Sequence, residues 1–420
     1  MARTLDVFIA GVMAGTITHK PGGNHRFDYD PVYQDGAQRI PLSQSLPLTQ
    51  RRHGMRPISN WMWGLLPDNE ITLDRWARRF RVSARNPFAL LGAMGEDCPG
   101  AVQLTHSGTG IAAGGDVAWI TKAGLERRIT ELLKDPGAGR LDDDRGQFSL
   151  AGAQAKTALL REGSRWGVPS GRMPTTHILK PESPRFPGLA ANEHFCLELA
   201  RAAGLPAVRS EVLHTGNASV FVSERYDRFR QNGSKTILRL HQEDCCQALG
   251  IAPQKKYQSE GGPGIPEIME LLRFSKAPET DRGRFMRAQA FNFVIAGTDA
   301  HAKNFAILYE PSGAYRLMPL YDVISFLPYH TRTPQLKLAM TIGGRRHPSE
   351  IKPHHWERTA ERCGYPAARM QQSVRELLET VPDLAGKVRK DCVAAGLDKA
   401  FVTRLASLVA DHARELAKGY

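Results

Sequence analysis

The run Gly297-Thr298-Asp299-Ala300-His301-Ala302-Lys303-Asn304 contains the densest set of chemically useful side chains in the sequence. It follows the apolar residues 291–296, so it is expected to leave the end of a buried helix. Asp299 and Asn304 are five positions apart. Phosphoryl-transfer loops have this separation between a carboxylate that accepts a hydroxyl proton and an amide that holds a metal ion. The run therefore predicts phosphoryl transfer, with Asp299 as the base and Asn304 as a metal ligand.

A second carboxylate follows this run where a second metal ligand is expected. Residues 305–308 are predicted to form a strand, Pro311-Ser312-Gly313 a turn, and 315–317 the returning strand, before Asp322. Mg²⁺ prefers oxygen ligands, and phosphoryl transfer needs them beside the carboxylate that receives the proton. A plainer interpretation is that Asp299 and Asn304 cap helices and that Asp322 opens a turn. The order of the three residues around one hairpin favours a protein-kinase arrangement.

Earlier segments offer groups that can hold nucleotide phosphates. Lys180 ends a strand predicted over 176–180, and Glu193, in the next helix, is a candidate partner for it. The plainer interpretations are a strand-edge lysine and an acid in a helix first turn. Residues 149–156 are rich in small side chains that let backbone N–H groups approach phosphates, although the single glycine excludes a Walker A loop. In a kinase, the backbone of a segment such as 223–228 bonds the adenine.

In a protein kinase, a β-rich lobe followed by an α-rich lobe positions such candidate phosphate-binding, base and metal-binding residues. The hydrophobic pattern of this sequence predicts the same order of lobes. In the first third, residues 5–17 are predicted to form two strands around Gly11, and Asp68 or Asn69 is placed to cap a helix over 71–80. Residues 134–146 form the best linker candidate. Further strands are predicted over 101–104, 148–150, 156–160, 176–179 and 220–225, and helices over 192–203, 265–274, 284–296, 369–380 and 399–416.

Composition narrows the function classes. The 420 residues suffice for two or three domains, and no apolar run approaches the roughly 18 residues of a membrane span. Six scattered cysteines without a C-x-x-C pair argue against a zinc site or a disulfide framework and fit a cytoplasmic protein. The net charge of +13 favours contact with polyanions such as nucleic acid, or serves only solubility. The glycines of 108–115 are predicted to form a loop.

Several of these segments resemble the motifs of HipA kinases, the toxin components of type II toxin–antitoxin pairs. The resemblance rests on ordered motifs across nearly the whole chain: Phe148–Leu160, Thr176-His177-Ile178-Leu179-Lys180-Pro181, Asn192-Glu193, Glu224-Arg225-Tyr226-Asp227-Arg228, His241-Gln242-Glu243-Asp244, Lys256-Tyr257 with Gly261-Gly262-Pro263-Gly264, Thr298–Asn304 and Pro319–Ser325, preceded by Leu65-Leu66-Pro67-Asp68 and Gly95–Val102. It implies an α+β fold: a two-lobed protein-kinase-like core with an additional N-terminal α/β subdomain and an all-α C-terminal domain. The expected boundaries are 1–135, 147–260 and 261–420.

The resemblance also implies roles for particular residues. Asp299 resembles the catalytic base, Asn304 and Asp322 resemble the Mg²⁺ ligands, and Ser149 resembles the autophosphorylated serine. The residues implied in ATP binding are Ala151, Gly152, Ala153, Gln154, Ala155, Lys156, Lys180, Glu224, Arg225, Tyr226, His301, Lys303 and Tyr321. Ala155 departs from the family pattern, where a polar residue such as Glu is expected, which puts the fine structure of the phosphate loop in doubt.

The resemblance implies a serine/threonine protein kinase that inhibits translation by phosphorylating an aminoacyl-tRNA synthetase, glutamyl-tRNA synthetase above all. A HipB-type helix-turn-helix antitoxin would neutralise it, and the complex would bind operator DNA. Two alternatives stay open. One is a small-molecule kinase with the same two lobes. A phosphoserine on the chain itself would favour the protein kinase over this alternative. The other is a catalytically weak co-repressor, against which the intact Asp299, Asn304 and Asp322 argue.

Overall fold

The computed structural model describes residues 3–37, 39–112, 114–141, 144, 147–183, 185–230, 234, 236–330 and 336–420. It contains an amino-terminal subdomain, a second, larger sheet and a helical carboxyl-terminal part. No helix of these described ranges is both long enough and apolar enough to cross a membrane.

The amino-terminal subdomain packs four helices against a five-stranded antiparallel sheet of order β4-β3-β2-β1-β5. Alternate residues of the first strand are buried, as expected for a sheet with one face on a core. The prediction of two strands around Gly11 is confirmed. Asn69 caps the helix predicted over residues 71–80. The elements are β1 (Arg3–Ile9), β2 (Val12–His19), β3 (His25–Tyr29), α1 (Pro31–Asp35), β4 (Arg52–His53), α2 (Met55–Gly64), α3 (Glu70–Phe80), α4 (Pro87–Met94) and β5 (Val102–His106).

The second sheet has six strands in the order β10-β11-β9-β7-β8-β6 and carries two helices. Its elements are β6 (Gly115–Ile120), α5 (Lys122–Lys134), β7 (Thr157–Glu162), β8 (Arg165–Gly171), β9 (His177–Pro181), α6 (Leu189–Ala202), β10 (Ser210–Thr215) and β11 (Ala218–Glu224). β6 pairs antiparallel with β8, placing Val117 opposite Pro169. Residues 115–134 therefore join this sheet, whereas the sequence placed them before a boundary at 135. A change in composition marks that boundary, but composition does not reveal which distant strand β6 pairs with.

Two further predictions in this region need correction. Part of the predicted linker packs tightly: Ala138 is buried, and Trp76 Nε1 donates to the Gly137 carbonyl at 3.2 Å. Residues 142, 143, 145 and 146 of that segment lie outside the described ranges. The strand predicted over 148–150 is absent because the Ser149 N–H donates to the Asp97 carbonyl instead of to a ladder.

The carboxyl-terminal part is mostly helical, as predicted, but includes a small sheet of order β14-β15-β16. Its elements and those leading to it are β12 (Arg228–Arg230), β13 (Ile237–Arg239), β14 (Gln242–Asp244), α7 (Cys245–Ala248), α8 (Ile265–Leu272), α9 (Pro278–Val294), β15 (Ala306–Tyr309), β16 (Tyr315–Leu317), α10 (Pro353–Arg362), α11 (Ala367–Ala394) and α12 (Lys399–Ala417). The predicted hairpin after Asn304 is confirmed, so residues 261–420 are not entirely α-helical. One large core joins α6 to these helices, through Phe195, Phe291 and Trp356 among others.

Candidate active site

The loop that follows α9 places Asp299 and Asn304 in contact with each other. The Asn304 amide nitrogen donates to the Asp299 carbonyl at 2.8 Å, which closes the loop. The Tyr321 hydroxyl donates to the Lys303 carbonyl at 2.7 Å and braces the loop from the other side. Gly297 is required at the turn because a Cβ there would overlap the Asn292 side chain.

The Asp299 carboxylate accepts a hydrogen bond from the Tyr257 hydroxyl. Burial raises the pKa of Asp299 above its usual range, although the Tyr257 hydroxyl and the Lys256 ammonium act in the opposite direction. A carboxylate with a raised pKa accepts a proton more readily than an exposed one. Asp299 therefore has the environment of a general base.

Asp322 lies beyond the β15–β16 hairpin and reaches Lys180. Its φ angle of 54° is a left-handed conformation that residues other than glycine rarely adopt, and such strain clusters at functional sites. Burial alone would raise the pKa of Asp322, but the Lys180 ammonium outweighs it and holds that pKa below its usual range. Asp322 therefore presents an anionic carboxylate to the cleft.

Lys180, on β9, is buried between two carboxylates. Its ammonium lies 2.8 Å from the Glu193 carboxylate on α6 and also pairs with Asp322. Burial would lower the pKa of Lys180, but these two carboxylates raise it above its usual range. The structure brings together the predicted pair of Lys180 and Glu193, as a strand and the helix after it bring such residues together in protein kinases.

The predicted phosphate loop, residues 151–156, connects to β7 and faces the same cleft. Gly152 has a φ angle of 106°, and a Cβ there would overlap the Lys156 ammonium. That ammonium donates to the Ala151 carbonyl at 2.6 Å. Burial lowers the pKa of Lys156 to about 8, although Asp322 acts against it. Gln154 lies further along, with its amide nitrogen 3.5 Å from the Pro181 carbonyl.

Ser149, directly before this loop, is completely buried. Its hydroxyl donates to the Leu65 carbonyl at 2.6 Å. In this conformation the hydroxyl faces the amino-terminal subdomain and is not accessible to a phosphate donor.

The predicted adenine segment lines the cleft. Glu224 is exposed, whereas the Tyr226 hydroxyl donates to the Gln242 side chain at 3.0 Å. The Arg225 side chain is not available to a nucleotide, because its guanidinium is buried in ion pairs with Asp227 and Asp97. Its predicted ATP-binding role is therefore confined to its main chain.

Three residues of the site had no role assigned from the sequence. The sequence suggests Asp68 as a helix cap and as part of a family motif, yet its carboxylate lies 2.7 Å from both the Lys256 and the Lys303 ammonium groups. Lys256 and Tyr257 were noticed as a family motif without a role. The sequence did contain a signal for these three residues. Each is a polar residue within a motif of the family resemblance, and other motifs of that resemblance supply the remaining candidate site residues.

Most of the candidate site residues, though not Ser149, line one cleft of about 750 Å³, of the size that holds a nucleotide. His301 lines it too. Burial lowers the pKa of His301 to about 4, so its ring is neutral, and within the described ranges its Nδ1 has no hydrogen-bond partner. Among those ranges, no three His, Cys, Asp or Glu side chains are grouped to hold a metal by themselves. One carboxylate and one amide fit Mg²⁺, which takes most of its remaining ligands from water and phosphates.

Two family models match the chain: the HipA N-terminal domain over residues 5–105 and the HipA-like C-terminal domain over residues 148–385. The chain belongs to the HipA family. It is 35% identical to the putative kinase Y4mE of Sinorhizobium fredii over 98% of both chains. It is 27% identical to the serine/threonine-protein kinase toxin HipA of Shewanella oneidensis, over 91% of this chain and 90% of that protein.

The fold agrees with this membership. The solved structure of Shewanella oneidensis HipA, in complex with HipB and its operator DNA, superposes with a TM-score of 0.85. The match covers 98% of this chain and 97% of that one, at 24% sequence identity. The chain is therefore a kinase of the HipA family with the HipA fold.

Proposed function

We propose that this HipA-family protein is an ATP- and Mg²⁺-dependent serine/threonine protein kinase that acts as a toxin. The observation that carries the proposal is the meeting of Asp299, Asn304 and Asp322 in one cleft with the buried Lys180–Glu193 pair. Asp299 accepts the proton of the attacking hydroxyl. Lys180 and the backbone of residues 151–156 hold the phosphates.

The residues suited to Mg²⁺ are Asn304 and Asp322. When bound, Mg²⁺ neutralises charge on the transferring phosphate. In the structure the Asp322 carboxylate is paired with Lys180, and the Asn304 amide is bonded to the main chain. Both groups are therefore held at the cleft by existing contacts.

We infer that the protein substrate is an aminoacyl-tRNA synthetase, with glutamyl-tRNA synthetase first, and that its phosphorylation stops translation in the cytoplasm. The support is family membership. The test is quantitative phosphoproteomics of cells that express the wild type or Asp299→Asn. A synthetase phosphopeptide should appear only with the wild type. Phosphopeptides confined to other proteins would reject this substrate, and phosphorylated small metabolites alone would favour the small-molecule kinase.

We infer that Ser149 is the autophosphorylation site and that its phosphorylation inactivates the kinase. A phosphate adds about −1.5 to −2 charges, which cannot be accommodated where the buried hydroxyl now meets the Leu65 carbonyl. The phosphorylated loop must leave this position, and residues 151–156 then lose their place in the cleft. Peptide mass spectrometry after incubation with Mg-ATP, followed by ATP titration of the phosphorylated protein, tests this. An unmodified Ser149, or undiminished ATP affinity after modification, contradicts it.

We also infer a HipB-type helix-turn-helix antitoxin as a partner, through which the chain associates with operator DNA. The support is family membership and the net charge of +13, which favours contact with phosphates. For the purified complex and operator DNA, the logarithm of the binding constant should fall by about 0.9 for each tenfold increase in salt and each phosphate contact. Tight operator binding by the isolated chain at physiological salt would contradict the need for a partner. DNA binding without any kinase activity would favour the co-repressor alternative.

A further inference from the structure

Asp68 connects the amino-terminal subdomain to two lysines of the cleft, Lys256 and Lys303. Its two carboxylate oxygens each accept from a different ammonium group at 2.7 Å, one from Lys256 and one from Lys303. The side chains of Asp68 and Lys303 are only 15% and 5% exposed, so water screens their pairing weakly. Burial alone would raise the pKa of Asp68, but Lys303 and Lys256 hold it below its usual range.

The backbone around Asp68 is fixed to the phosphate loop. The Asp68 N–H donates to the Gly152 carbonyl at 3.2 Å, and Pro67 forms a parallel bridge with the same glycine. The Asn69 amide nitrogen lies 3.4 Å from the Ala153 carbonyl. Three successive residues of the amino-terminal subdomain therefore contact the loop that faces the phosphates.

The two lysines are also tied to the catalytic loop. Lys303 lies within that loop, directly before Asn304, and the Ala302 N–H donates to the Lys256 carbonyl at 3.4 Å. Each ammonium has three donors, of which Asp68 takes one. The others stay available to phosphate oxygens, and the three side chains together carry one net positive charge.

We propose that Asp68 is a positioning residue of the kinase active site, which aims Lys256 and Lys303 at the nucleotide phosphates from the amino-terminal subdomain. Without the carboxylate, two neighbouring ammonium groups repel each other and lose their common direction. The amino-terminal subdomain is then part of the active site as well as a packing partner. This role rests on the proposed phosphotransferase function.

The test compares full-length wild type, Asp68→Asn and the control Asp74→Asn, an exposed carboxylate on α3. Transfer of radiolabelled γ-phosphate to a dialysed bacterial lysate gives kcat, and calorimetric titration gives the ATP affinity. Asp68→Asn should lower kcat by about 10²-fold, the order that a misplaced catalytic group costs. ATP should bind equally well or more tightly, because a negative charge beside the lysines has been removed. Asp74→Asn should behave as wild type, and Asp68→Glu should recover part of the loss.

A purely structural role gives a different pattern. If Asp68 only docked the subdomain, the phosphate loop would lose its support in Asp68→Asn, and ATP affinity would fall together with kcat. That result, or a kcat within about threefold of wild type, would overturn the proposal. If the wild type is active and Asp68→Asn is equally active, only the positioning role is rejected. If the wild type shows no Mg-ATP-dependent transfer, both the proposed function and this role are rejected.

A second variant keeps the test decisive if Asp68→Asn does not fold. Lys256→Met leaves residues 67–69 unchanged and should lower kcat by about tenfold or more. Adding Asp68→Asn to Lys256→Met should lower kcat by a smaller factor than Asp68→Asn does in the wild type, because one of the two lysines that Asp68 contacts is already absent. An unchanged kcat for Lys256→Met, or losses that simply multiply, would contradict the proposal.

Discussion

Replacing Gly152 by alanine should weaken ATP binding without unfolding the protein. The φ angle of 106° lies in a region that alanine adopts only at a cost of about 1–2 kcal/mol. The new Cβ would also overlap the Lys156 ammonium and break its bond to the Ala151 carbonyl. A hydrogen bond from a charged group contributes about 1.5–3 kcal/mol. Taking the lower values, the loop conformation loses about 2.5 kcal/mol, or about 70-fold in ATP affinity.

Gly163 provides the matched control for this prediction. It also has a positive φ angle, 59°, but lies in the turn between β7 and β8, where a Cβ would meet nothing within 4 Å. Gly163→Ala should therefore lower the free energy of unfolding by about 1–2 kcal/mol and leave ATP affinity unchanged. Isothermal titration with ATP and thermal unfolding of both variants measure the two effects. Wild-type ATP affinity in Gly152→Ala, or an equal loss in Gly163→Ala, would refute the reasoning.

Two further changes probe the site. Lys180→Met removes the cation that pairs with both the buried Glu193 carboxylate and the partly exposed Asp322 carboxylate, so the free energy of unfolding should fall by about 3–5 kcal/mol and ATP binding should be lost. In the exposed control Lys276→Met, the free energy of unfolding should fall by at most about 1 kcal/mol. Tyr257→Phe removes the hydroxyl that lowers the pKa of Asp299. Because the base must be deprotonated, the acidic limb of the pH–kcat profile should move to higher pH, and an unmoved limb would exclude Asp299 as the titrating group.

The proximity of those candidate site residues that are close together in sequence could be predicted. Asp299 and Asn304 share one loop, and Asp322 follows it by one hairpin, so local pattern was enough to place them. Lys180 and Glu193 were predictable because a strand and the helix after it pack side by side.

Contacts between distant parts of the chain could not be predicted in this way. Asp68 meets Lys256 and Lys303 across 188 and 235 positions of sequence, and the local hydrophobic pattern does not reveal that these residues come together. Likewise, Arg225 belongs to a motif of the adenine segment, yet its side chain turns away to pair with Asp97 of the amino-terminal subdomain. Both contacts depend on how the amino-terminal subdomain packs against the rest of the chain. The hydrophobic periodicity of the sequence does not encode that packing.

The most direct test of the central claim is γ-phosphate transfer by purified wild type and Asp299→Asn, measured with radiolabelled Mg-ATP beside ATP titration and thermal unfolding. The wild type should label protein. Asp299→Asn should bind ATP and unfold at nearly the wild-type temperature but transfer at least about 10²-fold more slowly, because it lacks the proton acceptor. Wild-type-like transfer by Asp299→Asn, or no Mg-ATP-dependent transfer by the wild type, would contradict the assignment of this cleft as a kinase active site.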